Sequence, residues 1–192
     1  MYKRQVEADV VKKAKTKVKK ASLDDQIKIL LIGQGKLPFK ANTFDIVFSK
    51  DSIVHISNKE KIFNEVFRVL IPGGIFVFSD WLISHDQEPS PEMKYYLDLE
   101  DLGFGMASPI VYEKSLRKSG FTSIEVRNRN SWYKNEARRE LDILSGSDRR
   151  SYEKLTSEEF INRQILTWKA MIKVLETGEH CPHHFRAIKP KL

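Results

Sequence analysis

The chain is predicted to be an α/β protein, on three observations. Apolar runs at residues 27–32 (IKILLI), 44–48 (FDIVF) and 75–79 (IFVFS) have the length and composition of strands buried on both faces. Between the second and third runs, apolar residues recur at helical spacing, and Gly- and Pro-containing turns keep the connections short. Strand, helix, strand in that order points to a mostly parallel sheet with helices on its faces.

In chain order, Val6, Val10, Val11, Ala14 and Val18 share one side of a 3.6-residue period with lysines on the other, so residues 5–21 read as an amphipathic helix. Residues 22–26 break it before the first strand, at 27–32, which Gly33 and Gly35 bound. A polar turn through Pro38 and Asn42 leads to the second strand, at 44–48. Ile62, Phe63, Val66, Phe67 and Leu70 then mark a helix over 58–70 that Pro72, Gly73 and Gly74 end, turning the chain into the third strand. Residues 84–109 hold a polar stretch, a helix over 92–102 and a loop, the character of a lid or substrate-binding insertion. Pro109 opens a helix that stops at Gly120, and Ile124 and Val126 lie in a strand. Residues 135–176 suit two amphipathic helices parted near Gly146, and 183–189 (HHFRAIK) an edge strand confined by Pro182 and Pro190.

A length of 192 residues suits one domain rather than two. With 41% apolar residues the chain has enough material for a core. The net charge of +7 is concentrated at the start, where residues 1–26 carry eight Lys/Arg against four Asp/Glu. The residues between the lysines there are Ala, Thr and Val, which neither stack on nor read bases, so the basic face is expected to be solvated and no nucleic-acid partner is expected. Cys181 is the only cysteine, and no apolar run reaches the length of a membrane span, so a soluble, reducing, cytoplasmic setting without membrane attachment is expected. His180, Cys181, His183 and His184 form a single tight group rather than two separated pairs, and no metal site is expected there.

The stretch FDIVFSKDSIVHI, followed by a helix and EVFRVLIPGGIFVFSDW, is similar to the second half of class I methyltransferases that use S-adenosylmethionine. Asp51 stands where that family ends a strand on an acidic or polar residue, and Leu70, Pro72, Gly73 and Gly74 where it carries its L-x-PGG turn. KDSIVH and the terminal HFRAIKP bring the chain nearest to the small-amine N-methyltransferases, the branch of the phosphoethanolamine and sarcosine/dimethylglycine enzymes. The resemblance implies a Rossmann-like sheet and S-adenosylmethionine as methyl donor. It begins part-way through the family's pattern. The strand, glycine-rich turn, helix and second strand that precede 27–32 in the family have no counterpart here, so the expected sheet is N-terminally truncated: the chain is expected to be a fragment, the alternative being that the remaining strands re-pair into a smaller sheet. In domain terms this gives one methyltransferase-like unit over 1–192: a basic helix at 1–26, central strands at 27–83, a lid at 84–109, and helices and strands at 110–192.

Methyl transfer to an amine needs an uncharged nitrogen held near the methyl carbon and a group to accept its proton. Asp51, at the carboxyl end of a strand, is positioned to hold an ammonium, and His55, four residues on, to take the proton. The resemblance implies these roles; the residues alone leave open that Asp51 caps a turn and His55 packs under a helix. It further implies contacts to the cofactor from Lys50, Asp51 and Ser52, and to the substrate's anionic group from Arg186. Trp81 is either an aromatic wall for a methylated ammonium or a core residue, and Tyr96, in the lid, either completes that wall or packs. The acidic run Asp98, Glu100, Asp101 offers a phosphate nothing basic, which favours amino-acid-derived or betaine-type amines. The expectation is a small-amine N-methyltransferase; the alternative is a non-catalytic, partner-binding domain built on the same fold.

Overall fold

The computed structural model describes residues 8–32, 35–101 and 103–191, in two compact units divided after Lys40. In the first unit, helix α1 (Ala8–Lys20) exposes its lysines while Ala14 and Val18 are half-buried. Val10, expected on the apolar side, is 53% exposed. Residues 27–32 form no strand, and Leu30 and Leu31 are exposed. A strand buried on both faces needs hydrogen-bonded neighbours, and this run is not one of the four strands among the described residues. Gly33, expected to bound this run, and the start of the helix expected from residue 5 lie outside the described residues.

The second unit holds strands β1 (Phe44–Lys50), β2 (Leu70–Asp80), β3 (Thr122–Asn128) and β4 (His183–Ile188) in the order β1-β2-β4-β3. β1 and β2 are parallel, and β4 runs antiparallel to both β2 and β3. β4 is therefore an interior strand rather than an edge. Phe185 and Ala187 are buried on it, which the flanking prolines did not reveal. β1, read as buried on both faces, instead has Ile46 and Phe48 61% and 69% exposed.

Helices α2 (Lys59–Val69) and α4 (Pro109–Lys118) cover one face of the sheet. Phe63, Val66, Tyr112 and Leu116 from these helices meet Phe76, Phe78 and Phe185 from the strands, and the Phe78 and Phe185 rings stack 4.5 Å apart. Burying each such ring contributes about 2 to 3 kcal/mol. The α2 N-terminus is capped by Asn58, whose side chain accepts from the Lys61 amide, and that of α4 by Ser108 ahead of Pro109. A second cluster joins α3 (Pro91–Glu100), α5 (Asn130–Ser145) and α7 (Glu158–Glu176) through Met93, Tyr96, Ala137, Met171 and Leu175. The segment after β3 contains three helices rather than two, with the short α6 (Arg149–Leu155) between α5 and α7.

Pro72-Gly73-Gly74 does not separate α2 from a strand as expected. β2 begins at Leu70 and carries these residues as a bulge, pairing Leu70 with Phe44 and Ile75 with Ile46. Gly74 suits this because a Cβ there would lie 2.8 Å from the Ile71 carbonyl oxygen.

Candidate active site

At the carboxyl ends of β1 and β2 the structure encloses a cavity of about 570 Å³, the position at which parallel sheets present ligands. β1 contributes Phe48 and Lys50, and the residue after it, Asp51, turns into the left-handed region with φ of 51°. Its amide donates to the Ser79 carbonyl at 2.9 Å and its Oδ1 accepts from the Ser79 hydroxyl at 2.9 Å, so the carboxylate is anchored across β1 and β2.

Alternation along β2 separates its last residues. Val77 and Ser79 line the cavity, as does Trp81 just beyond the strand, whereas Asp80 points into the opposite core. There Asp80 is fully buried, accepts from the Tyr112 hydroxyl at 2.5 Å, and is pushed up to about 6 by burial. His184, paired with Ser79 across β2 and β4, also lines the cavity. Partial desolvation and then Arg129 and Arg127 lower its pKa, with Asp51 pulling it upward, so it is neutral near pH 7.

The helical layer supplies the rest of the wall. Trp132 and Tyr133 from α5, Trp168 from α7, and the carboxylates Glu100, Glu136 and Glu140 face the same space as Trp81. Trp81 meets Tyr133 edge-on at 5.2 Å and stacks on buried His180 at 4.9 Å. Arg129 lies over the Trp132 ring at 5.3 Å, and its buried Nε donates to no acceptor among the described residues. Aromatic faces beside carboxylates suit a cationic ammonium, and a guanidinium at the same cavity suits an anion.

The expected site residues therefore divide. Lys50, Asp51 and Trp81 line the cavity. Ser52 is exposed with its hydroxyl donating to the Lys50 carbonyl at 2.9 Å. His55, in the 3-10 turn Ile53–His55, does not line the cavity; its ring stacks on Phe104 at 5.1 Å. Tyr96 is buried behind the wall, its ring 5.4 Å from His180. Arg186 is on the cavity's face of β4 but two residues further from the strand ends, bonded to Glu125 at 2.7 Å. Reading the sequence overlooked Arg129, Trp132 and Tyr133. They follow β3 directly, so the rule that directed attention to Asp51 would have found them.

Among the described residues no group of His, Cys, Asp and Glu is arranged to hold a metal ion, and no helix is long and apolar enough to cross a membrane. His180 and His183 turn their Nδ1 atoms to the carbonyls of Leu82 and Cys181.

Residues 2–78 match the family model described as a methyltransferase domain. Phosphoethanolamine N-methyltransferase 3 of Arabidopsis thaliana is 27% identical over 144 residues, 75% of this chain and 29% of the relative. The structure of Haemonchus contortus phosphoethanolamine N-methyltransferase 2, in complex with phosphomonomethylethanolamine and S-adenosylhomocysteine, superposes with a TM-score of 0.73 at 27% identity. That match covers 80% of this chain and 35% of the other. A Galdieria sulphuraria protein assigned as a sarcosine dimethylglycine methyltransferase gives a TM-score of 0.82 at 22% identity, over 97% of this chain and 68% of its own. The chain thus spans about a third of the length of the phosphoethanolamine enzymes it matches.

Proposed function

We propose that the chain is a class I methyltransferase domain that serves S-adenosylmethionine-dependent methylation of the nitrogen of a small amine. The observation that carries this reading is the cavity at the ends of β1 and β2, where the Asp51 carboxylate faces Trp81, Tyr133 and Trp168. An ammonium is attracted to Asp51 and to the aromatic faces, and its anionic end to Arg129. S-adenosylmethionine, when bound, supplies a methyl carbon on a sulfonium. The residues present fit that charge: Lys50 and Asp51 lie at the cavity beside the exposed Phe48 ring, and a carboxylate with an aromatic face suits a sulfonium.

The remaining chemistry falls to the side chains. Asp51 holds the amine, and His55 accepts the proton that the nitrogen must lose before it can attack. His55 lies beneath Phe104, so this role requires the 103–107 loop to move aside. A second assignment of the base has its own support: His184 lines the cavity and is held neutral near pH 7. Replacement separates them, since loss of the true base lowers turnover by about 10² to 10⁴ while the other histidine leaves it unchanged.

The test is calorimetric titration of the 192-residue chain with S-adenosylhomocysteine, followed by amines in its presence. Micromolar binding of the nucleoside, with amine binding that Asp51→Asn abolishes, is expected. Failure of both, together with a persistent dimer, overturns the enzyme reading in favour of a partner-binding domain.

A further inference from the structure

Lys59, the first residue of α2, is only 3% exposed, an unusual place for an ammonium. Its Nζ donates to the carbonyls of Ile56 at 2.7 Å, Ile53 at 2.8 Å and Gly105 at 2.8 Å, with Val54 at 3.4 Å. Those of Ile53 and Val54 belong to the turn that carries His55 and that of Ile56 follows it directly; the fourth belongs to the loop after α3. The loop reciprocates, as the Gly105 amide donates to the Val54 carbonyl at 2.7 Å. The approach is close: a Cβ on Gly105 would lie 3.2 Å from the Ser57 Cα. The Tyr112 ring lies 5.3 Å from the ammonium, and buried Asp80 supplies the opposing charge.

We propose that Lys59 is a positioning residue whose buried ammonium locks the 103–107 loop onto the Ile53–His55 turn and so seats Phe104 over the His55 ring. A charge with three donors satisfies both segments at once, which a neutral side chain of similar length cannot do. Removing it leaves buried carbonyls without donors on both sides of the contact. The consequence for proton transfer rests on the amine-methylation reading, because the loop would then control access to a candidate base. The lock itself does not rest on it, and its test uses no activity.

The experiment compares the full chain with Lys59→Met and Gly105→Ala by hydrogen exchange and by the proton spectrum of the His55 ring, which the stacked Phe104 shifts upfield. Lys59→Met is expected to raise exchange at least tenfold in both 53–57 and 103–107, to leave β2, β4 and α7 protected, and to move the His55 ring signals to unshielded positions. Gly105→Ala leaves the ammonium in place and is expected to free only 103–107, with the same change at His55. It therefore keeps the proposal open to refutation if Lys59→Met does not fold. Wild-type protection of 103–107 or an unchanged His55 shift in either folded variant overturns the proposal, as does a uniform rise in exchange across the chain.

Discussion

The Tyr112 hydroxyl donates to the Asp80 carboxylate at 2.5 Å in a setting where both side chains are fully buried. Burial dominates the titration of Asp80 and raises it to about 6, although Tyr112 and Lys59 both oppose the rise. An unfolded Asp loses its proton near pH 4, so between about pH 4 and 6 the folded state binds more protons and stability falls as pH increases. Asp80→Asn removes this dependence while retaining an oxygen for Tyr112. Relative to wild type, the Asn variant is expected to lose about 2 to 3 kcal/mol on going from pH 7 to pH 4, measured by urea denaturation at both. A difference that stays constant across that range would refute the assignment.

His180 acts in the opposite direction. It is fully buried between Trp81 and Tyr96, and desolvation lowers its pKa to about 4. The unfolded chain takes up this proton near pH 6.5, so the stabilisation is complete above that value and is lost as pH falls toward 4, by about 3 kcal/mol. His180→Phe keeps a ring between the two aromatics and should flatten the acid limb of the stability profile. An unaltered slope would show that the ring titrates alike in the folded and unfolded chain, against this assignment.

Gly74→Ala tests the bulge. The added Cβ meets two backbone oxygens, of Ile71 at 2.8 Å and Asp45 at 3.2 Å, neither of which can rotate away as a side chain would. Opening the bulge should cost about 1 to 3 kcal/mol in denaturant titrations. Wild-type stability would mean that β2 admits another path between Leu70 and Ile75.

The parts of this fold that could be read from the sequence are those governed by neighbours in the chain. α2 announced itself by apolar spacing, and α4 by Pro109 and Gly120 at its ends. β1 and β2 were visible as apolar runs. What escaped depends on distant partners. β4 looked like an edge because of its prolines, yet Phe185 stacks on Phe78 in the middle of the sheet. Residues 27–32 had a strand's composition but are not among the strands of the described residues. At the site, Asp51 and Trp81 were accessible through their position at strand ends, whereas Arg186 was singled out by resemblance to a family's last strand. It stands opposite Val77, and its guanidinium turns to Glu125 on β3 instead of lining the cavity.

The anionic end of the substrate gives the sharpest test of that last difference. Arg186 is spent on Glu125 at 2.7 Å, an exposed ion pair worth at most about 1 kcal/mol. Arg129 lines the cavity, and among the described residues no carboxylate pairs with it. A charge-assisted hydrogen bond to a ligand contributes about 1.5 to 3 kcal/mol, so Arg129→Ala should weaken binding of an anionic amine by about 10- to 150-fold. Arg186→Ala should leave it within about twofold. The probes are phosphoethanolamine and dimethylglycine, titrated by calorimetry in the presence of S-adenosylhomocysteine. Loss of phosphoethanolamine alone in Arg129→Ala would assign the guanidinium to a phosphate, and loss of dimethylglycine to a carboxylate. The reverse pattern, with Arg186→Ala the damaging change, would mean that ligand binding breaks the Glu125 pair and draws Arg186 to the cavity.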